Sequence, residues 1–340
     1  MADAGSDSVI RNAEWLAWRL DPAARTVTFM HVPPAAHEQL TFLSSQYLAE
    51  ASLTDSVTVP ISTIEAHSPV AGGPHFIFHS AFCASTLLAR AMTIPGVVRG
   101  LREPELMNGL AVLARERRLT RDDLRLALRL LARPLNNGET LVIKPSNVAN
   151  SLIEEAMQAV PTAKALLLHA PLRVFLGSVA AKGLWGRTWA RRLYVRLVQD
   201  FGSPFGYAHG ELFEQTDLQI AALAWLLHQR HFAAVARRFP DRIRTLDSAA
   251  FLANREKTIA AAASLFGVSL APTAVAEIVS GPTFSRDAKK IDEDFEARDT
   301  DGGPARGSDE ETEMICQWAA AVAAHADIPL ELPSETRLLG

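Results

Sequence analysis

Three short stretches of this chain combine residue types that can do chemistry with a spacing that suits it. The first is His79-Ser80-Ala81-Phe82-Cys83-Ala84-Ser85-Thr86, a run of small and hydroxyl residues. It follows the apolar run His75–Phe78 and leads into Thr86–Met92, where apolar residues recur at helical spacing. Strand, small-residue turn and helix make the layout of a phosphate-binding loop. There the free N–H groups at a helix N-terminus face an anion, and small side chains let it approach the backbone. A strand-to-helix turn without a ligand has the same layout, and on this stretch alone both readings stand. The nucleotide pattern GxxxxGK[ST] is not met: His79 and Ala84 replace its glycines and Ser85 its lysine, while Thr86 keeps the last place. Without that lysine, ordinary ATP or GTP hydrolysis is disfavoured.

The second stretch is Leu101-Arg102-Glu103-Pro104-Glu105, and the third is Lys144-Pro145-Ser146-Asn147 after the strand-like Thr140–Ile143. In a sheet with helices on its faces, ligands bind at the carboxyl ends of strands, which is where such segments fall. Glu103 could take a proton from an acceptor. It could equally serve the N-terminus of a helix starting near Pro104. Lys144 would be a cation at a strand end. Farther on, Arg173, Ser178 and Lys182 lie on or beside a helix read over Leu172–Ala181, and Ser178 sits mid-helix, where a small residue usually packs. His79 and His169 each end a strand, which points to hydrogen-bonded structural roles. Arg187, Arg191, Arg192 and Arg196 recur at helical spacing, the pattern of a solvated face. Trp185 and Trp189 suggest packing. Cys83 reads as a small residue before it reads as a reactive thiol.

The elements that must position these residues can be read coarsely. Strand–helix pairs recur at 75–92, 140–160 and 164–181, with a further strand at Asp241–Leu246. That order predicts an α/β fold of three layers, α/β/α, around a mainly parallel central sheet. Residues 1–74 read as an N-terminal extension packed on the core, and 75–340 as the P-loop-like domain with a C-terminal helix. In the extension, Asn12–Leu20 predicts a helix carrying Trp15 and Trp18, Thr26–Val32 a strand, Ala35–Ala51 a helix and Ser56–Ile61 a strand. Helices follow at Leu106–Arg117 and Leu119–Arg133, with Thr120 and Asp123 as an N-cap signal, and at Leu218–Arg238 behind a capping box of Thr216 and Gln219. Gly267 marks the end of a helix over Glu256–Phe266. The polar, glycine-containing 281–307, with Arg286, Lys289 and Lys290, predicts a lid-like loop. Ser308 and Glu311 form another capping box.

Bulk properties narrow the classes. The chain has 340 residues, 48% apolar and 21% charged, the profile of a globular protein with a sizeable core. A formal charge of −4 gives no case for non-specific nucleic-acid binding. The two cysteines, Cys83 and Cys316, imply neither a disulfide framework nor a zinc site. Met1–Ser8 lacks the start of a signal peptide, and no apolar run is long enough to span a bilayer, so the expected location is cytoplasmic.

The loop stretch resembles the 5′-phosphosulfate loop of the sulfotransferase family. Ala81-Phe82-Cys83-Ala84-Ser85-Thr86-Leu87-Leu88 falls in register with it, with Phe82 where the family has a basic residue. The resemblance continues in order. Leu101-Arg102-Glu103-Pro104 resembles a basic-Glu-Pro segment in which the Glu is the catalytic base. Leu141–Ser146 resembles the strand whose terminal Lys handles the sulfate. Lys164–Ser178 resembles the strand, Arg-Asp-Pro and helical Ser that grip the cofactor's 3′-phosphate, with His169-Ala170-Pro171 in place of Arg-Asp-Pro. Leu246-Asp247-Ser248-Ala249 and Leu265-Phe266-Gly267 resemble the last shared segments. The resemblance implies a P-loop fold and sulfuryl transfer from 3′-phosphoadenosine 5′-phosphosulfate (PAPS) to a hydroxyl or amine of a small-molecule or glycan acceptor. No metal is expected. It implies catalytic roles for Glu103 and Lys144. Cofactor contacts would come from Phe82, Cys83, Ala84, Ser85, Thr86, Arg173, Ser178 and Lys289. A small-molecule kinase on a P-loop fold and a non-catalytic nucleotide-binding or interaction protein remain alternatives.

Overall fold

The computed structural model describes residues 4–67, 73–208, 210–284 and 308–340. The lid-like loop expected at 281–307, Lys289 included, lies outside the described residues except for a short 3-10 turn at Pro282–Phe284. The side chain of Ser308, and with it the second capping box, is also outside them.

The strands are β1 (Trp15–Asp21), β2 (Thr26–His31), β3 (Ser56–Pro60), β4 (His75–His79), β5 (Val98–Arg102), β6 (Thr140–Lys144), β7 (Ala165–His169) and β8 (Ile243–Asp247). In chain order the helices begin with α1 (Ala4–Arg11), α2 (Pro34–Gln39), α3 (Ser45–Glu50), α4 (Ile61–Ala66), α5 (Ser85–Ala91), α6 (Glu105–Arg115), α7 (Arg121–Leu131) and α8 (Ile153–Ala159). They continue with α9 (Leu172–Ala181), α10 (Gly183–Phe201), α11 (Glu211–Glu214), α12 (Asp217–Arg238), α13 (Ser248–Ala253), α14 (Arg255–Leu265), α15 (Pro272–Ser280) and α16 (Ser308–His325).

The fold is α/β. Its main sheet has five strands in the order β5-β6-β4-β7-β8, with β4–β6 and β5–β6 paired in parallel. The chain runs from β4 out to the edge strand β5 and back to β6 before β7 and β8 extend the other side. That reversal makes the carboxyl end of β4 a topological switch point, where α/β sheets bind ligands. Strands buried on both faces read as continuous apolar runs, which is why His75-Phe76-Ile77-Phe78 and Ala165-Leu166-Leu167-Leu168 are so uniform.

Two compact units divide the chain: Met1–Phe78 with Thr86–Ala165 and Ile259–Ile278, and His79–Ser85 with Leu166–Thr258 and Val279–Gly340. In the first, an antiparallel sheet β1-β2-β3 stands apart from the main one. Residues 12–20 were expected to be helical, but β1 occupies Trp15–Asp21. The Asp21 carboxylate accepts from Ala23 N at 2.9 Å and Ala24 N at 3.0 Å, which closes a turn and folds β1 onto β2. Once that partner is available, tryptophan-rich sequence fits a half-buried strand better than a helix. The helix expected at Ala35–Ala51 is two short ones, α2 and α3. The break at Leu40–Ser44 frees backbone carbonyls that Arg102 collects. The stretch Leu101-Arg102-Glu103-Pro104-Glu105, read as a polar segment beyond a strand, begins inside β5, all five residues of which are buried.

That last difference has a specific cause. Arg99, Arg102 and Arg133 are buried guanidiniums satisfied largely by backbone carbonyls. Arg102 donates to His37 O at 2.6 Å and Leu40 O at 2.7 Å. Arg133 donates to Ile10 O at 2.6 Å, Val9 O at 3.1 Å and Trp15 O. Arg99 donates to Ala13 O at 3.1 Å and Arg133 O. Five donors in a rigid fork let one arginine tie several chain segments together. Burial still disfavours the charge and pulls the three basicities down to about 10, 10 and 9 respectively.

In the second unit, α12 is buried over much of its circumference, including Leu223, Trp225, Leu226 and Leu227. It begins with the expected capping box, in which Thr216 and Gln219 satisfy each other's backbone N–H groups. Gly186 lets α10 approach α9, because a Cβ there would lie 2.3 Å from Val179 O. Among the described residues no helix is long and apolar enough to cross a membrane.

Candidate functional site

Lys144 and Glu103 meet in the first unit. In the parallel register Arg102 stands opposite Lys144, and Glu103 N donates to Lys144 O at 2.6 Å. Consecutive strand ends thus bring the two side chains together, and Lys144 Nζ forms an ion pair with Glu103 Oε1. The lysine side chain is 2% exposed and that of Glu103 19%. Lys144 Nζ also lies 5.0 Å from the centre of the Phe42 ring. Glu103 does not cap α6, whose N-cap is Pro104 with no side-chain capping bond. Its backbone is left-handed, φ 49°, which L-residues adopt only at a cost. The segment before α3 braces this corner: Leu43 N donates to Arg102 O at 2.7 Å and Glu105 N to Leu43 O at 2.9 Å.

The loop after β4 belongs, as 79–85, to the second unit. Three of its residues, Ala81, Phe82 and Ala84, have left-handed backbones at φ 72°, 49° and 58°. The turn is held from β7: Ser80 N donates to Leu168 O at 3.1 Å, and Ala170 N to Ser80 Oγ at 3.3 Å. The Cys83 thiol is buried and points to Leu168 O at 3.5 Å, so it packs. His79 Nδ1 accepts from Ala81 N at 3.2 Å, the structural role its position suggested. Ser85 and Thr86 open α5 as buried residues.

Phe82 occupies the loop position where the family resemblance places a base, and its surroundings are informative. Its ring packs against Trp189 at 4.8 Å and Phe175 at 5.8 Å. Lys182 Nζ lies 5.2 Å above that ring and 5.9 Å from the Trp185 ring. A cation therefore stands beside the loop, carried by the α9–α10 junction rather than by the loop itself. Nothing in the spacing of the residues links Lys182 to Phe82. The signal was there only as an aromatic in a basic place, with Lys, Trp and Trp at 182, 185 and 189.

The other expected residues are placed as follows. Ser178 Oγ donates to Val174 O at 2.9 Å, within its own helix. Arg173 is exposed and paired with Glu313. Arg187 and Arg191 pair with Glu311 and Asp217, so the arginine face of α10 is partly engaged. His169 ends β7 with its Nδ1 buried and lacking a hydrogen-bond partner. Burial lowers its basicity more than the nearby Asp247 raises it. His169 lines a cavity of about 570 Å³ with Asp247 and Arg337, two residues that sequence reasoning did not connect to it.

No family model matches the chain, and no curated protein does. Solved structures to which the fold is similar include the sulfotransferase domain of the olefin synthase of Synechococcus PCC 7002. That match has 15% identity and a TM-score of 0.39, covering 74% of this chain and 97% of that one. The sulfotransferase domain from the curacin biosynthetic pathway is similar at 12% identity and a TM-score of 0.43, covering 78% and 100%.

Proposed function

We propose that this chain transfers a sulfuryl group from PAPS to a hydroxyl or amine of a small-molecule or glycan acceptor. The observation that carries the reading is the loop after β4, with three L-residues in left-handed conformation before a helix. Backbone strain of this kind persists where the surroundings over-determine it, and it clusters at sites that grip ligands. The run of motifs that resembles the sulfotransferase family, in its order, supports the same reading.

In this reading the N–H groups of 82–86, with the Ser85 and Thr86 hydroxyls, hold the 5′-phosphate. The acceptor oxygen or nitrogen attacks sulfur as the bond from sulfur to the bridging oxygen breaks. The leaving group is adenosine 3′,5′-bisphosphate. Lys144 moves its charge from Glu103 to the transferring oxygens, and the carboxylate so released takes the acceptor's proton. Lys182 stands in for the base that Phe82 replaces. Arg173, Ser178 and Lys289 remain the candidates for the 3′-phosphate.

The experiment is a thermal-shift series followed by assay with labelled donor. Adenosine 3′,5′-bisphosphate should raise the melting temperature and ATP with magnesium should not. Lys182→Ala should weaken the nucleotide response, and adding Phe82→Lys should restore it. A response to ATP with magnesium alone would support a small-molecule kinase instead. No response to either would leave a non-catalytic protein.

A further inference from the structure

The cavity of about 570 Å³ at the carboxyl ends of β7 and β8 lies wholly within the second unit. Its size is that of a small-ligand site. Leucines, Pro171, Trp225 and Ala250 make most of its wall, and the Trp225 indole is fixed by a 2.8 Å bond from Nε1 to Ala170 O. The last residues of the chain close one side. Arg337 bridges Thr245 in parallel, and Leu338 N donates to Thr245 O at 2.8 Å.

The charges in this wall decide what it can hold. Glu331 and Arg337 pair with each other at 2.8 Å, so their charges offset, although Arg337 still reaches His169 and lowers its basicity. Desolvation lowers the basicity of the His169 imidazole. Asp247 accepts from Ala249 N at 2.7 Å and Ala250 N at 3.1 Å through one oxygen, and among the described residues no basic side chain forms a salt bridge with it. One carboxylate charge is left over beside the His169 imidazole. A phosphate or carboxylate would meet that charge unfavourably. A cationic donor would be attracted by it, and the apolar wall would take up the rest of the molecule.

We propose that this cavity binds a small, largely apolar amine as its cation, with the ammonium at Asp247 and His169 and the hydrocarbon or aryl body against Trp225 and the leucines. The site goes beyond the sulfuryl-transfer reading and does not depend on it.

Cys316 also lines the cavity and reports on it directly. Burial pushes its thiol pKa up, so its alkylation is slow enough to follow. The full chain is treated with a maleimide, and modification of Cys316 is read by peptide mass spectrometry. Three probes are compared: tryptamine, the matching acid indole-3-propionate, and adenosine 3′,5′-bisphosphate. Tryptamine should slow Cys316 alkylation and raise the melting temperature, whereas the acid should do neither. Asp247→Asn keeps a capping oxygen and should weaken tryptamine about tenfold, the scale of one partly buried ion pair. Ala250→Phe, which fills the cavity, should abolish protection. Equal binding of amine and acid, or no protection by tryptamine, would overturn the proposal. So would protection of Cys316 by the bisphosphate, which would assign the cavity to the nucleotide. A bisphosphate-induced thermal shift without Cys316 protection leaves the proposed reaction standing whatever tryptamine does.

Discussion

The ion pair of Lys144 and Glu103 makes a quantitative prediction that does not depend on the reaction. The two partners are unequally buried, with the lysine side chain 2% exposed and the glutamate 19%. Breaking a buried pair costs about 3–5 kcal/mol, because the surviving charge is stranded. Glu103→Gln strands the ammonium, the better buried partner. The Phe42 ring, 5.0 Å away, gives back about 1 kcal/mol through its face. The net loss should be about 2–4 kcal/mol. Lys144→Met leaves a carboxylate that water still reaches, so its loss should be smaller, about 1–2 kcal/mol. The double variant removes both charges and should lie within about 1 kcal/mol of the parent.

Urea unfolding of the four proteins at neutral pH measures this cycle, with the slope m checked for constancy. The expected outcome is strong non-additivity, with the double variant more stable than Glu103→Gln alone. Additive losses would refute the argument, since they would mean that the two charges do not feel each other. So would a larger loss for Lys144→Met than for Glu103→Gln, because burial would then not be setting the order. If the pair also serves transfer, either single variant loses activity with labelled PAPS while circular dichroism is unchanged.

Two further predictions follow from buried groups. His228 is fully buried on α12 with neither ring nitrogen bonded, and burial depresses its pKa to about 3. His37 is similarly depressed to about 3 and His75 to about 4. These groups are neutral in the folded state but take protons in the unfolded state below about pH 6.5. Stability is therefore full above that pH and falls as the solution is acidified toward pH 4, by up to about 1.4 kcal/mol per pH unit for each histidine. His228→Leu should stabilise the protein by about 1–2 kcal/mol at pH 6 and flatten the acid slope by one such increment; an unchanged slope in urea titrations would count against it. Arg133→Met should destabilise by at least about 3 kcal/mol, since Val9 O, Ile10 O and Trp15 O lose this donor together and Asn12 O keeps only Trp15 N. Arg133→Lys should recover little, because an ammonium cannot reach four carbonyls in different directions; near-parental stability in either variant by chemical denaturation would exclude the role.

The main sheet was legible where its strands are buried on both faces. β4, β6 and β7 are apolar throughout their central residues, and burial on both faces leaves few other reasons for such runs. β5 was not legible, because Arg99 and Arg102 sit inside it and interrupt the apolar run. Nothing local marks a guanidinium whose carbonyl partners lie 34 to 86 residues away. The N-terminal hairpin failed for a related reason. Trp15 and Trp18 satisfy helical spacing, and only the pairing partner, β2, makes the strand the better state. The capping box at Thr216 and the helix end at Gly267 were legible because their physics is contained within a few residues.

The candidate site was legible as separate pieces but not as relations. Glu103 and Lys144 stand 41 residues apart, and only the parallel register of β5 and β6 makes them one ion pair. The loop after β4 shows why a glycine pattern was a poor guide. Glycine is favoured in such turns because it adopts left-handed conformations at no steric cost. Here alanine and phenylalanine adopt them instead, at about 1–2 kcal/mol each. The bonds from Ser80 and Cys83 to Leu168 O, and from Ala170 to Ser80, hold that geometry from the end of β7. Tertiary contacts thus impose a conformation that other sequences obtain from residue choice. A change that loosens the end of β7 should disturb this loop more than a change of Ala84 to glycine, although Ala84 is the residue at the glycine position of the motif.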